Sequence, residues 1–147
     1  MTPARRRQRG NSMIEFALAS TILLPLMTGA FQFGYGLYVY NRLENAVRCG
    51  ARYAARLTYD SSTATPSAAF TTAVQNMVAY GNPSGGTSTV VPGLNPQDVS
   101  ISMALYSGAP DIVTVSIQQF QIDAGIGKIT VYQKPSSSFR YQGRFAP

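Results

Sequence analysis

Six carboxylates, one thiol and no histidine bound the chemistry open to this chain of 147 residues. Glu15, Glu44, Asp60, Asp98, Asp111 and Asp123 are scattered, and no two stand at helical spacing as a metal pair or an acid–base pair. Without histidine, and with Cys49 as the sole thiol, zinc sites, Cys–His pairs and Ser–His triads are out of reach. The stretch GNPSGG has glycines but lacks the lysine and the strand-to-helix setting of a phosphate loop. A non-enzyme is expected, with no metal and no cofactor. Two single groups still invite a role. Cys49 lies near Arg52 on a helical wheel, so its thiol could be acidified or could bridge two chains in an oxidising compartment; a small residue tolerated on a helix is the plainer reading. Glu15 stands at the mouth of a stretch, residues 16–41, that has no charged side chain at all.

The net charge of +6 suggests nucleic acid until its location is considered. Arg5, Arg6, Arg7 and Arg9 supply much of it within a short head, and from Thr58 onward bases and acids balance. No basic patch of the kind phosphate binding needs is left, so no nucleic-acid partner is expected.

The elements that must carry Glu15 and Cys49 follow from periodicity. Residues 16–40, FALASTILLPLMTGAFQFGYGLYVY, form an apolar run. As a helix it is about 37 Å long at ~1.5 Å per residue, enough to cross a hydrocarbon core of about 30 Å. Pro25 predicts a kink or local loosening, and Ala30 with Gly34 forms a small-xxx-small pair that admits a neighbouring helix. Phe31, Phe33, Tyr35, Tyr38 and Tyr40 suit an interfacial belt or packing between subunits. The pattern then turns amphipathic without a break. Leu43, Val47, Gly50, Ala54 and Leu57 share one face; Arg48, Arg52 and Arg56 share the opposite one, with Glu44 placed to pair with Arg48. One helix from about residue 12 to 57 is predicted, a rod of roughly 70 Å.

Beyond it, Thr65 and Pro66 read as a cap and first position of a second helix that ends near Tyr80, with Phe70, Val74, Met77 and Val78 on one face. A Gly/Pro/Ser-rich loop follows, then three strand-like segments, VSISMALY, DIVTVSIQ and GKITVYQ, the first two joined by SGAPD as a hairpin. The tail from Pro135 reads as irregular. The fold class expected is α+β: a long N-terminal helix (residues 11–57, with 16–40 spanning a membrane) bearing a small helix-and-antiparallel-sheet head over residues 58–147. So small a head promises only modest stability alone.

Three readings compete for the N-terminus. A plain membrane anchor explains the apolar length but gives Gly10 and Glu15 no role. A secretory signal peptide finds small residues at Thr28, Gly29 and Ala30, yet the carboxylate before the apolar run and the apolar residues after Ala30 fit it poorly. The third is a leader of the type IV pilin kind, which this segment resembles in its basic head of Arg5, Arg6, Arg7 and Arg9, in Gly10, in Glu15 five residues later, and in the apolar helix. The stretches GNSMIEFALASTILLPLM and YVYNRLENAVRCGARYAAR further resemble the TadE-like minor pilins, or pseudopilins, of the Tad (Flp) pilus systems. The resemblance covers about residues 5–57; the head resembles the family only in its order of helix then strands.

That resemblance implies a leader, residues 1–10, cut between Gly10 and Asn11 by a membrane prepilin peptidase on the cytoplasmic side. It implies other pilin and minor pilin subunits, an assembly platform and motor, and membrane lipid as partners. It also implies a bacterial inner-membrane location with the head in the periplasm, followed by an extracellular position, such as a pilus tip, if the subunit enters a filament. Glu15 would then have a physical task. Cleavage would place a new ammonium on Asn11 among apolar helices, and a carboxylate one turn along neutralises it on its own chain or a neighbour's. The helix dipole favours Glu15 there by about 0.3–1 kcal/mol. The contrasting expectation is a permanently anchored protein whose periplasmic head captures a ligand and never enters a filament.

Overall fold

The computed structural model describes residues 8–125 and 127–147, with side chains from residue 12 onward. Arg5, Arg6 and Arg7 of the expected leader lie outside the described residues. Gly10 and Asn11 are within helix α1, Gln8–Ala54.

Helix α1 is continuous through Pro25. Proline removes one N–H from the ladder, but the helical bonds on either side remain, and Thr21 Oγ1 donates back to the Ala17 carbonyl at 2.9 Å. The helix stops at Ala54, short of the expected residue 57. There the chain tightens: the N–H groups of Arg56 and Leu57 both reach the Tyr53 carbonyl, each at 3.1 Å. The carbonyls that a longer helix would have used are taken by the distant C-terminal tail. Gln142 N–H bonds Ala55 O at 2.8 Å, and the Tyr141 hydroxyl donates to Leu57 O at 2.7 Å.

Helix α2, Ala68–Tyr80, begins two residues later than Thr65–Pro66 suggest. Its cap is Ser67, whose hydroxyl accepts from Phe70 N–H at 3.2 Å; Thr65 instead belongs to a turn in which its carbonyl accepts from Ser61 Oγ at 2.8 Å. Gly81 closes the helix at φ 71°, its N–H on Met77 O at 3.0 Å.

Among the described residues five strands follow, two more than periodicity indicates. They are β1 Val99–Tyr106, β2 Ala109–Ile117, β3 Gln119–Asp123, β4 Lys128–Tyr132 and β5 Ser136–Arg140. β1, β2 and β5 form an antiparallel sheet in that order, and β3 with β4 forms a separate hairpin. The β1–β2 connection is a two-residue turn of Ser107 and Gly108, with φ of 50° and 81°, so a tight turn stands where a looser SGAPD loop was expected. β5 arises from the tail that reads as irregular. Its Ser136 and Ser138 face water and Ser137 and Phe139 face inward, an alternation too weakly apolar to announce a strand, yet β2 supplies a full row of partners from Ile112 to Ser116.

The core lies between the upper part of α1, one face of α2 and the inner face of the three-stranded sheet. Leu43, Val47, Ala51 and Ala54 meet Phe70, Val74 and Val78, with Val113, Val115 and Ile117 from β2. Gly50 is the point of closest approach, since a Cβ there would collide with the Val78 side chain. At the top, Tyr59 is fully buried edge-on to Phe70, with ring centroids 5.4 Å apart, and Phe145 stacks on it at 6.4 Å. Tyr59 N–H bonds both Arg144 O and the Tyr141 hydroxyl at 2.9 Å, and its carbonyl accepts from Ala146 N–H at 2.9 Å. The C-terminus is thereby fastened to the end of α1.

Candidate functional site

The feature with no structural explanation inside this chain is the lower part of α1. From Ser12 to Tyr35 nearly every side chain is exposed, including Phe16 at 75%, Ile22 at 68% and Phe31 at 74%. An amphipathic helix would keep one face polar; this stretch is apolar on all sides, the mark of a helix that expects an apolar surround. α1 is long and apolar enough, from Ser12 to Ala54, to cross a membrane by length and composition, and its most apolar window is entirely unburied. Such a helix suits membrane anchoring.

Glu15 stands at the start of this stretch, and both it and Ser12 have interaction partners. Ala30 and Gly34 are exposed, and a Cβ added at Gly34 or Gly29 would meet nothing within 4 Å, so this side of the helix is open to a close neighbour. Leu43, Val47, Gly50 and Ala54 are spent within the chain: all four are buried beneath its own α2 and sheet. Leu57 lies beyond the helix, half-buried against the same core. The stripe that periodicity drew as one surface is thus divided between an open lower part and a closed upper part.

The arginine row is partly engaged. Arg48 pairs with Glu44 at 2.6 Å in the expected i,i+4 arrangement, with both side chains nearly half exposed, a geometry that contributes little to stability. Arg52 lies over the Phe139 ring, 5.7 Å from its centroid, and Arg42 over Tyr38 at 5.8 Å. Strand β5 brings Arg140 to this face, where it helps Arg52, Arg56 and Gln142 line an open cleft of about 300 Å³. Asp111 pairs with Arg140 at 3.3 Å. Sequence reading missed Arg140 as a member of this group because only the β2–β5 pairing carries it there. Cys49 is exposed and in no disulfide.

A second open cleft, of about 500 Å³, lies on the outer face of the sheet among Ser100, Thr114, Ser116, Gln118, Gln133 and Ser136. Its groups are hydroxyls and amides, with no base among them to activate a nucleophile. Among the described residues, no group of His, Cys, Asp and Glu could hold a metal ion. The shifted titrations are structural: burial pushes the phenols of Tyr59 and Tyr141 above their ordinary range.

With this geometry in place, the comparison with known families gives one result. Residues 10–52 match the family described as TadE-like protein. The TadE-like segment spans α1 almost from end to end: the exposed apolar part, Glu15, and the face that closes the head. It is somewhat under a third of the chain, and it points to a Tad pilus-associated protein, a family that is not one of enzymes. No curated protein and no solved structure matches the chain.

Proposed function

We propose that this chain is a minor pilin or pseudopilin of a Tad-type pilus, held in the bacterial inner membrane by the lower part of α1 before it enters an assembly. The observation that carries the reading is the coincidence of the TadE-like match with a helix that is apolar and exposed on every side below its own head. A helix of that kind is stable among lipid tails and equally stable among the apolar helices of other subunits, so one surface serves both the stored and the assembled state. The head, on this reading, faces the periplasm and later the exterior, with the pilus tip as one position it would occupy.

Processing belongs to the same reading. A prepilin peptidase cuts between Gly10 and Asn11, leaving the apolar helix on the mature chain. The new ammonium of Asn11 then lies one turn from Glu15. A lone charge at depth in a membrane costs roughly 2.5–3.5 kcal/mol on insertion scales, and a paired one less, so Glu15 favours the register in which some subunit's ammonium meets it. The platform and motor that move the subunit are those of the pilus system.

The test is the intact mass and N-terminal residue of the protein purified from its native membrane. A chain beginning at Asn11 is the expected result, followed by impaired assembly of Glu15→Ala. A chain still carrying Arg5 to Gly10 would refute processing and leave a permanently anchored protein with a periplasmic head.

A further inference from the structure

The β3–β4 hairpin does not belong to the three-stranded sheet; it lies along α1. Two close approaches to the helix climb in step. A Cβ at Gly127 would meet Gln32 Nε2 at 2.6 Å, and one at Gly36 would meet Ile129 Cδ1 at 3.4 Å. Two strand residues advance about 6.6 Å and four helix residues about 6 Å, so β4 runs nearly parallel to the axis of α1. The Lys128 end of β4, with Asp123 paired to it, therefore lies down the helix, toward the exposed apolar part. Beside it, Phe33, Leu37, Ile129 and Val131 help to line a cleft of about 180 Å³ with wholly apolar walls, open to the outside.

This placement divides the apolar run of residues 16–40 in two. Gly36 and Val39 are buried by the chain itself, while residues 12–31 are exposed apart from the half-buried Ser20 and Thr28. From Ser12 to Gln32 the helix rises about 30 Å, the thickness of a hydrocarbon core. Were the span to reach Tyr40 instead, this end of the hairpin would sink about 12 Å at ~1.5 Å per residue, taking the exposed side chains of Asp123 and Lys128 into hydrocarbon.

We propose that the β3–β4 hairpin is a membrane-surface contact, its Asp123–Lys128 end resting among lipid headgroups at the level of Gln32 and holding the head at a set height. The inference rests on the membrane-anchored reading above. Lys128, exposed beside the turn, supplies a cation for lipid phosphate, and the apolar cleft with the exposed Phe31 and Phe33 matches the interfacial zone where aromatic side chains gather. The chain has no tryptophan, so single tryptophans report depth without background.

The experiment reconstitutes the full chain in vesicles of phosphatidylcholine and phosphatidylglycerol containing brominated lipids, and reads tryptophan quenching in Leu24→Trp, Phe33→Trp, Ile129→Trp and Tyr132→Trp. Leu24→Trp should be quenched most strongly by bromines deep in the acyl chains. Phe33→Trp and Ile129→Trp should give blue-shifted emission quenched by bromines near the headgroup. Tyr132→Trp, about 10 Å beyond Ile129 along β4, should emit as in water. Should Ile129→Trp fail to fold, Lys128→Trp at the exposed neighbouring position reads the same depth. Quenching of Leu24→Trp with water-like emission from Ile129→Trp and Lys128→Trp would overturn the hairpin contact while leaving the anchor intact. Loss of quenching at Leu24→Trp would overturn both. Deep quenching of Ile129→Trp would place the boundary near Tyr40 and refute the inference.

Discussion

Gly50→Ala separates helix propensity from packing because the two predict opposite signs. Within an ordinary helix the substitution stabilises by about 1 kcal/mol, through lost freedom in the unfolded chain and better helix propensity. Here the added Cβ would collide with Cγ2 of Val78, with Val78 Cβ at 3.5 Å and the Val74 carbonyl oxygen at 3.8 Å behind it. Val78 is fully buried and β-branched, so its χ1 has one strongly preferred state in a helix and cannot swing aside cheaply. The helices α1 and α2 must separate instead, an overpacking cost of about 1–3 kcal/mol. The net expectation is a destabilisation of up to about 2 kcal/mol, read as a fall of several degrees in the melting temperature of the full chain in detergent. The companion variant is Val78→Ala. Removing the two methyl groups relieves the collision, so in that background Gly50→Ala should regain its intrinsic benefit, and the cycle should show a coupling of about 1–3 kcal/mol. A single Gly50→Ala variant that melts higher than the parent, or a cycle with no coupling, would refute the close approach.

Three further outcomes follow from the head. Tyr141→Phe removes the hydroxyl that joins Tyr59 N–H, Leu57 O and Arg144 O, and should cost about 1–2 kcal/mol in urea denaturation while raising proteolysis of the tail. Burial raises the pKa of Tyr59 and Tyr141 above the ordinary value of 10.0, so their contribution to stability is complete below that value and lost as pH climbs through the folded-state values; the urea midpoint should fall above about pH 10, less steeply in Tyr141→Phe. Ser67→Ala should lower stability by about 1 kcal/mol, whereas Thr65→Ala, at an exposed position, should stay within about 0.5 kcal/mol; equal effects would place the cap elsewhere.

The N-terminal part was legible because its signals are local or repetitive. An uncharged run followed by an amphipathic one needs only the 3.6-residue period to be read as a helix, and the pairing of Glu44 with Arg48 needs only its spacing. The α+β layout, with helix before strands, was legible for the same reason. The resemblance on which Gly10, Glu15 and the leader were singled out rests on the same local stretch, and the family match falls there too. No such local signal marked β5. A run of serines has little strand propensity, and it is a strand because β2 already presents an unpaired edge to it. Thr65 and Ser67 are both good caps on chemistry alone, and the choice depended on where the chain leaves the turn around Ser61.

By itself, then, the sequence determined that this chain carries a long apolar helix with one carboxylate at its entrance, an amphipathic continuation, and six carboxylates scattered along a chain without histidine. Those properties are sums and periods, read without knowing what lies nearby. Only the tertiary structure decided how much of that helix the chain keeps for itself. It buries Gly36, Val39 and the face from Leu43 to Ala54, leaves most of residues 12–31 exposed, gathers Arg140 to Arg52 and Arg56, and ties the tail to Tyr59. Each of these depends on residues tens of positions apart reaching one place, and no spacing along a chain encodes that until the strands have found their partners.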